Sequence, residues 1–235
     1  PRQVGKTTML QKLMEGTDRS YVSLDDLHER NLAKTDPELF LQLHKPPVLI
    51  DEVQYAPELF TSIKIYADKN RAKGAFWLTG SQAFKLMQGM QESLAGRAAV
   101  LSLTSLSQAE VYGNRLEPFV PDMKKLSARS RERTPASARE IFDRIYTGSM
   151  PAVISGQNKN THIFYSSYVT TYIERDVRAL SDSIDALKFL RFITAVAARC
   201  GQLLNIADIA RDADINQKQV KSWLSILETL GIIFY

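Results

Sequence analysis

The N-terminal stretch holds the most distinctive set of side chains, because residues 3–8 read Gln-Val-Gly-Lys-Thr-Thr. Gly5 lets the backbone approach another group closely, since it has no Cβ. Lys6 adds a mobile positive charge and Thr7 a hydroxyl, and the apolar spacing that follows predicts a helix. Glycine, lysine and threonine before a helix are typical of a phosphate-binding loop with an associated Mg²⁺ ion. The alternative is a Gly-Lys turn that precedes a surface helix.

A second stretch ends in two carboxylates, since residues 48–52 read Val-Leu-Ile-Asp-Glu. An uninterrupted apolar run predicts a strand of a parallel sheet, which is buried on both faces. At the end of such a strand, Asp51 can hold Mg²⁺ through water and Glu52 can polarise an attacking water. The alternative is a buried strand that ends in a solvated acidic turn. Together with the Gly-Lys-Thr sequence, this stretch favours an ATPase site.

Strand and helix patterns alternate over the first hundred residues. This alternation predicts a parallel sheet with helices on both faces. Ligands of such sheets bind at the carboxyl ends of the strands, so Thr79 or Ser81 could contact a γ-phosphate or the attacking water. The alternative for these two residues is a Thr-Gly-Ser turn. The strands are predicted at residues 20–24, 48–50, 75–81 and 99–103, and the helices at 8–14, 27–44, 57–71 and 82–96.

The chain beyond residue 104 predicts a helical architecture, because no strand pattern recurs until the C-terminus. Residues 114–137 contain three prolines and a basic cluster, and they predict an irregular surface connection. The basic cluster consists of Lys124, Lys125, Arg129, Arg131 and Arg133. Helices are predicted at residues 107–113, 138–147, 161–180 and 185–200.

The C-terminal residues predict a helix-turn-helix followed by the first strand of a wing. A short helix at 206–210 leads into a turn, Asn216 is a candidate N-cap, a helix follows at 217–230, and an apolar strand at 232–235. In a DNA-binding protein the start of the second helix would face the groove. Such modules also serve as packing or protein-contact domains. The groove-facing residues would be Asn216, Gln217, Lys218, Lys221 and Ser222.

Composition limits the other classes of function. The 235 residues include 30 basic and 26 acidic side chains, for a net charge of +4, and this balance gives little support to nucleic-acid binding. A single cysteine excludes an intrachain disulfide and is consistent with a cytoplasmic protein. The apolar runs are shorter than the roughly 20 residues of a membrane span, so we expect no membrane partner. The three histidines are scattered, and we expect no zinc site.

The ordered motifs resemble a known family. Besides residues 5–8 and 49–54, they comprise Leu-Thr-Gly-Ser at 78–81, Ser-Leu-Ala-Gly-Arg at 93–97 and Tyr-Ile-Glu-Arg-Asp-Val at 172–177. This set resembles the AAA-type P-loop ATPases of bacteria and archaea that carry a C-terminal domain of unknown function. The resemblance implies an α/β fold with a parallel-sheet P-loop NTPase core at residues 1–104. An all-helical lid or linker at 105–180 and a winged helix-turn-helix at 181–235 would follow.

The resemblance also implies a Mg²⁺-ATP site. Asp51 and Thr7 would hold the metal, Glu52 would be the catalytic carboxylate, and Thr79 and Ser81 would sense the γ-phosphate. Arg97 would be an arginine finger, acting in cis or on a neighbouring subunit of an oligomer. The alternative for Arg97 is a surface ion pair, and for Arg175 a pairing with Glu174 or Asp176. The loop residues that would bind ATP are Gln3, Val4, Gly5, Lys6, Thr7 and Thr8.

These features predict hydrolysis of ATP to ADP and phosphate, coupled to a protein or DNA partner through residues 205–235. A nucleotide-gated switch with little turnover and a DNA-binding regulator remain as alternatives. Three features depart from the family pattern. The first glycine of the loop would lie just before Pro1, Gly148-Ser149 replaces a frequent Gly-Gly, and the further C-terminal domain of the family would lie after residue 235.

Overall fold

A three-stranded parallel sheet forms the centre of the N-terminal half. The computed structural model describes residues 2–70, 73–80, 94–114, 119–131, 135–173 and 185–235. Strands β1 (Ser20–Ser23), β2 (Val48–Asp51) and β3 (Phe76–Leu78) pair in the order β1-β2-β3. The register sets Ser23 beside Asp51 and Ile50 beside Leu78. The parallel sheet predicted from the alternating pattern is therefore confirmed for these three strands.

The helices of this half are α1 (Lys6–Met14), α2 (Leu27–Thr35), α3 (Pro37–Leu43) and α4 (Leu59–Asn70), with a 3₁₀ turn at Val53–Tyr55. The single helix expected at 27–44 is divided in two, because Asp36 ends α2 and caps α3. Its carboxylate accepts a hydrogen bond from the Leu39 amide at 2.9 Å. Pro37 then occupies the first turn of α3, where its missing N–H costs nothing.

The apolar core lies between the sheet and helices α2, α3 and α4. All four residues of β2 are buried, as expected for the central strand of a parallel sheet. In contrast, α1 contributes no buried side chain. The core consists of Val22, Leu24, Ala33, Phe40, Val48, Ile50, Val53, Ala56, Leu59, Phe60, Ile63 and Leu94.

Arg19 fastens the amino ends of the three strands. Its guanidinium donates to the carbonyl oxygens of Val48, Ala75 and Gly74 at 3.2, 3.3 and 2.8 Å. The same group lies 3.9 Å from the ring centroid of Trp77. Charge-assisted hydrogen bonds of this kind are stronger than neutral ones, so Arg19 stabilises the alignment of the strands at the end remote from their carboxyl tips.

Residues 104–168 make up most of a second compact unit, which is helical. Its helices are α5 (Gln108–Val111), α6 (Met123–Arg131), α7 (Ala138–Thr147), α8 (Pro151–Ile154) and α9 (Thr161–Tyr168), and the chain continues as a π-helical segment at Val169–Ile173. The prediction of an irregular connection at residues 114–137 was wrong for the residues of α6, which form a helix. The Asp122 carboxylate accepts hydrogen bonds from the amides of Lys124 and Lys125 at 2.8 and 3.0 Å, and so begins a helix in this basic stretch.

The Gly148-Ser149 pair has a clear structural role. Gly148 has a φ of 72°, and a Cβ at this position would lie 2.3 Å from the Tyr165 hydroxyl oxygen, so no other residue fits without displacement. The Ser149 hydroxyl lies 2.7 Å from that of Ser105. The serine therefore replaces a second glycine without leaving its hydroxyl unpaired.

Three C-terminal helices share a separate apolar core. They are α10 (Ala186–Ala197), α11 (Ile206–Ala213) and α12 (Gln217–Thr229). The Trp223 ring meets Phe189 and Phe192 edge to face, with centroids 5.2 and 5.3 Å apart. Asn216 caps α12 through a reciprocal pair of hydrogen bonds with Gln219, which confirms its predicted role. Helices α11 and α12 follow one another where the sequence predicts the two helices of a helix-turn-helix.

The predictions of two strands were wrong. Neither residues 99–103 nor residues 232–235 form a strand, and Leu101 and Phe234 are 92% and 95% exposed. An apolar β-type pattern becomes a strand only if a neighbouring backbone pairs with it. In the part of the chain that the structure describes, no strand lies beside either segment. The same part of the chain contains no helix that could cross a membrane.

Candidate functional site

The carboxyl ends of the three strands meet at one edge of the sheet. Backbone hydrogen bonds fix this edge: the Leu24 amide donates to the Asp51 carbonyl at 3.0 Å, and the Thr79 amide donates to the Ile50 carbonyl at 3.1 Å. The Val53 amide donates to the Thr79 carbonyl at 3.0 Å. Thr79, at the end of β3, is therefore a neighbour of Asp51 and Glu52, at the end of β2, as parallel strands require.

The Thr7 hydroxyl and the Asp51 carboxylate lie in direct contact. The hydroxyl oxygen is 3.1 Å from each carboxylate oxygen, although the two residues are 44 positions apart. Thr7 is the second residue of α1, and Asp51 is the last residue of β2. The structure thus brings together the two residues that were predicted to hold a metal ion.

Asp51 is a buried carboxylate, with only 6% of its surface exposed. Burial raises its pKa, because removal from water disfavours the charged form, and the nearby Glu52 charge acts in the same direction. Hydrogen bonds from Tyr21 and Thr7 oppose this increase. The balance leaves a carboxylate whose charge is poorly compensated and would be stabilised by a cation.

Lys6 begins α1 beside the same acidic groups. Burial lowers its pKa, whereas the charges of Glu52 and Asp51 raise it and that of Arg2 lowers it further. A partly buried ammonium at a helix N-terminus is suited to an anion, because the free amides and the helix dipole favour negative charge there. Lys6 therefore has the charge and the location that phosphate binding requires.

The residues around Lys6 form a tight turn. Gly5 has a φ of 85°, in the region that side chains disfavour, and no atom lies within 4 Å of the position where a Cβ would be. Gln3 also has a left-handed φ, of 57°. Val4 is buried with 4% of its surface exposed, whereas the side chain of Thr8 is exposed. Glycine is thus required at position 5 by backbone conformation, and the space beside it is open.

Glu52 has an unusual backbone conformation, with φ 56° and ψ 40°. Its carboxylate accepts a hydrogen bond from the Gln54 side-chain amide. Two buried polar atoms of this region, Gln54 Oε1 and Thr79 Oγ1, have no hydrogen-bond partner among the residues that the structure describes. Unpaired buried polar groups are costly, and left-handed non-glycine residues concentrate at functional sites. Both observations indicate a site that is completed by a further group.

The donor set suits Mg²⁺, which prefers oxygen ligands and retains several waters. Thr7 and Asp51 would supply one hydroxyl and one carboxylate, and phosphate oxygens and water would complete the shell. Over the described ranges, no cluster of three or more His, Cys, Asp and Glu side chains could hold an ion without such help. The residues therefore fit a cation that arrives with a phosphate ligand.

Two protein-family models match different parts of this chain. Residues 1–112 match the family model of an AAA domain, and residues 138–235 match that of a domain of unknown function (DUF8612). The N-terminal half is therefore similar to an AAA domain, and the C-terminal part is similar to a domain of unknown function. The two matches confirm the resemblance drawn from the motifs. AAA domains are nucleotide-binding domains of the ATPase type, and the site described above lies entirely within the matched residues.

Two curated relatives match nearly the whole chain. They are uncharacterized proteins of Mycobacterium bovis and Mycobacterium tuberculosis, each 27% identical over 230 residues. The alignment covers 97% of this chain and 46% of each relative. The chain therefore spans about half the length of the curated relatives it matches.

Arg97 of the AAA domain is engaged on the surface. Its Nε and Nη2 atoms donate to the two carboxylate oxygens of Asp68 at 2.6 and 3.2 Å, and Nη1 donates to the Ala95 carbonyl at 3.2 Å. The pairing lowers the pKa of Asp68. Arg97 thus forms the surface ion pair that was the alternative to an arginine finger. The arginine-finger role stays a prediction. Ser81 and Arg175 lie outside the described residues.

Sequence reasoning missed Tyr21. Its hydroxyl donates to Asp51 Oδ2 at 3.1 Å, so it is the second side chain, after Thr7, that donates to the carboxylate. The signal was present in the parallel register, in which Tyr21 lies beside Leu49 and Ser23 beside Asp51. Alternate residues of a strand share one face, so a tyrosine two positions before the end of β1 can reach a carboxylate at the end of β2.

The buried charge of Asp51 predicts a conflict between stability and function. With nucleotide and Mg²⁺ absent, Asp51→Asn should unfold at a higher temperature than the wild type at pH 7. The folded pKa of Asp51 lies above its unfolded value, so the ionised carboxylate costs stability fully above the folded pKa. This cost disappears as the pH falls through the folded pKa to the unfolded one. Thermal unfolding across this pH range measures the effect.

Asp68→Asn is the matched control for this measurement. The Arg97 ion pair lowers the pKa of Asp68, so the charge of Asp68 contributes stability at pH 7, and the variant should unfold at a slightly lower temperature. An Asp51→Asn protein that is less stable than the wild type at pH 7 would show that the Tyr21 and Thr7 hydrogen bonds outweigh the cost of burial.

Proposed function

We propose that the AAA domain binds ATP with Mg²⁺ and hydrolyses it to ADP and phosphate. The observation that carries the proposal is the contact between Thr7 and Asp51, at 3.1 Å to both carboxylate oxygens. It joins the start of a helix that follows a glycine turn to the end of a buried strand. A hydroxyl and a carboxylate in this relation are suited to a cation bound to phosphate.

The phosphates would be bound by the N-terminus of α1. Lys6 would place its charge on the β- and γ-phosphates, and backbone amides of the loop, from Gln3 to Thr8, would donate to the phosphate oxygens. Gly5 allows this approach because its left-handed backbone leaves open space on the side where a Cβ would lie. Burial of Lys6 strengthens its attraction for phosphate, since the effective dielectric constant is lower than in water.

A bound Mg²⁺ ion would offset the charge that develops on the transferring phosphoryl group. Thr7 and Asp51 would hold that ion, and Glu52 would orient the attacking water and accept its proton. The water oxygen then bonds to the γ-phosphorus while the bond to the bridging oxygen breaks, which releases ADP and phosphate. In this role Glu52 would exchange its hydrogen bond with the Gln54 side-chain amide for one with the attacking water.

The end of β3 and Arg97 would contribute to charge stabilisation. Thr79 Oγ1 is buried and has no hydrogen-bond partner in the described part of the chain, and a γ-phosphate oxygen or the attacking water would supply one. Ser81, two residues further along, is proposed for the same group. Arg97 would act as an arginine finger only after exchanging Asp68 for phosphate. We therefore propose that this exchange accompanies catalysis.

Lys6→Ala should weaken ATP binding by at least about 10-fold, because a charge-assisted interaction with phosphate is lost. Calorimetric titration with ATP and Mg²⁺ measures the loss. Lys12→Ala is the matched control, because it removes an exposed lysine from the same helix and should leave the affinity unchanged. Equal affinities for Lys6→Ala and the wild type would exclude the loop as the phosphate site.

Glu52→Gln should bind ATP normally but hydrolyse it about 100-fold more slowly, because the amide cannot accept the proton of the attacking water. Single-turnover hydrolysis measures the chemical step directly. Glu58→Gln, the same change at an exposed position, should behave as the wild type. Wild-type turnover by Glu52→Gln would show that its catalytic role is wrong. Slow turnover by the wild type itself would favour a nucleotide-gated switch.

DNA binding by the C-terminal helices is a second candidate function. The observation in its favour is the exposed polar face at the start of α12. This helix has no acidic residue in its first turn. The apolar face of α12 is buried, whereas this polar face is exposed. Its exposed residues are Gln217, Lys218, Lys221 and Ser222.

If α12 contacts DNA, the double variant Lys218→Ala plus Lys221→Ala should bind duplex DNA more weakly and with a smaller salt dependence. Each lost phosphate contact lowers the slope of log affinity against log salt concentration by about 0.9. Fluorescence anisotropy over a salt series measures both quantities. Lys34→Ala plus Lys45→Ala, two exposed lysines of the AAA domain, should leave the slope unchanged. A wild-type protein whose binding is independent of salt would exclude this function.

A further inference from the structure

Tyr21 connects the protein surface with the buried carboxylate. Its side chain is 40% exposed, whereas Asp51 is only 6% exposed. The phenol hydroxyl reaches Asp51 Oδ2 at 3.1 Å. A phenol has an ordinary pKa of about 10, so Tyr21 keeps its proton at neutral pH and acts as a donor. A permanent donor thus faces one oxygen of the carboxylate.

The two side-chain donors to the carboxylate differ in how a ligand would affect them. Thr7 has a single hydroxyl proton, which it can donate to only one of the two Asp51 oxygens at a time. In the proposed function its oxygen is also a metal ligand, so Thr7 responds to nucleotide binding. Tyr21 belongs to strand β1 and not to the loop, and in the proposed function it is not a ligand of the metal.

The strand register explains why the Tyr21 donor is held firmly. Tyr21 pairs with Leu49 and Ser23 with Asp51 in the parallel ladder, and β2 is buried along its whole length. The phenol therefore approaches Asp51 from a fixed backbone, and it restrains rotation of the carboxylate about its side-chain torsions. Restraint of this kind lowers the entropy cost of ordering a ligand group when the metal binds.

We propose that Tyr21 is a positioning residue that holds the Asp51 carboxylate ready for the Mg²⁺ ion of bound ATP, and this inference rests on the proposed function. Partners that orient metal ligands through hydrogen bonds typically change metal affinity by about 10- to 100-fold when they are removed. Tyr21 acts through Asp51 and touches neither the metal nor the nucleotide. Its removal should therefore affect the contribution of the metal and leave the phosphate contacts intact.

Tyr21→Phe tests this inference, because it removes the hydroxyl and keeps the ring. ATP affinity of the intact protein is measured by calorimetry with Mg²⁺ and again with EDTA. With EDTA the variant should match the wild type within about 2-fold. The gain in affinity produced by Mg²⁺ should be about 10-fold smaller in the variant than in the wild type. Tyr66→Phe, which removes a phenol hydroxyl on α4, should change neither value.

The possible failures are distinguishable. An unchanged gain from Mg²⁺ in Tyr21→Phe would overturn the positioning role and leave the proposed function intact. An equal loss of affinity with Mg²⁺ and with EDTA would also overturn it, because that result indicates a general structural effect. A wild-type protein that binds no ATP under either condition would overturn the proposed function and this inference together.

Discussion

The buried carboxylate of Asp51 is the constraint on which the rest of the AAA domain depends. A charge that is removed from water must be compensated by donors or by a counter-ion. Thr7 and Tyr21 supply donors, yet burial still raises the pKa of Asp51. The same low exposure that makes the free site unfavourable would make its attraction for a cation strong. Burial of Asp51 therefore explains both the cost of the carboxylate without a cation and its affinity for one.

The backbone around Asp51 explains how this charge is kept in place. Strand β2 lies between β1 and β3, and its neighbours donate to it at Leu24 and Thr79. Arg30 adds a further connection, because its Nε donates to the Leu24 carbonyl at 2.7 Å while its guanidinium lies 4.0 Å from the ring centroid of Tyr55. The turn after β1 is thus fastened to the segment that follows Glu52. Residues that are far apart in the sequence therefore fix the backbone around Asp51.

The sequence predicted the features that depend on local pattern and on short motifs. The Asn216 cap and the apolar strand that ends at Asp51 follow from residue type and spacing. The motifs assigned Thr7 and Asp51 to one metal ion, and the structure places these two side chains in contact. The strands expected at 99–103 and 232–235 depend on a pairing partner, which a local pattern does not contain. Helix α6 was missed because its start is fixed by the single side chain of Asp122 within a stretch rich in proline and basic residues. Tyr21 was missed because its role depends on the register between two strands.

The central claim is that Thr7 and Asp51 bind the Mg²⁺ ion. Metal-ion substitution tests this claim most directly, because it shows whether the side-chain atom of residue 7 coordinates the ion. Thr7→Cys replaces a hydroxyl oxygen by sulfur, which binds Mg²⁺ poorly and softer ions such as Cd²⁺ well. We expect ATP hydrolysis by Thr7→Cys to be lost with Mg²⁺ and restored with Cd²⁺. Thr8→Cys and the wild type, which retains the exposed Cys200, should show no such gain. Failure of Cd²⁺ to restore Thr7→Cys, or an equal gain in Thr8→Cys, would contradict the assignment of Thr7 and Asp51 as the metal site.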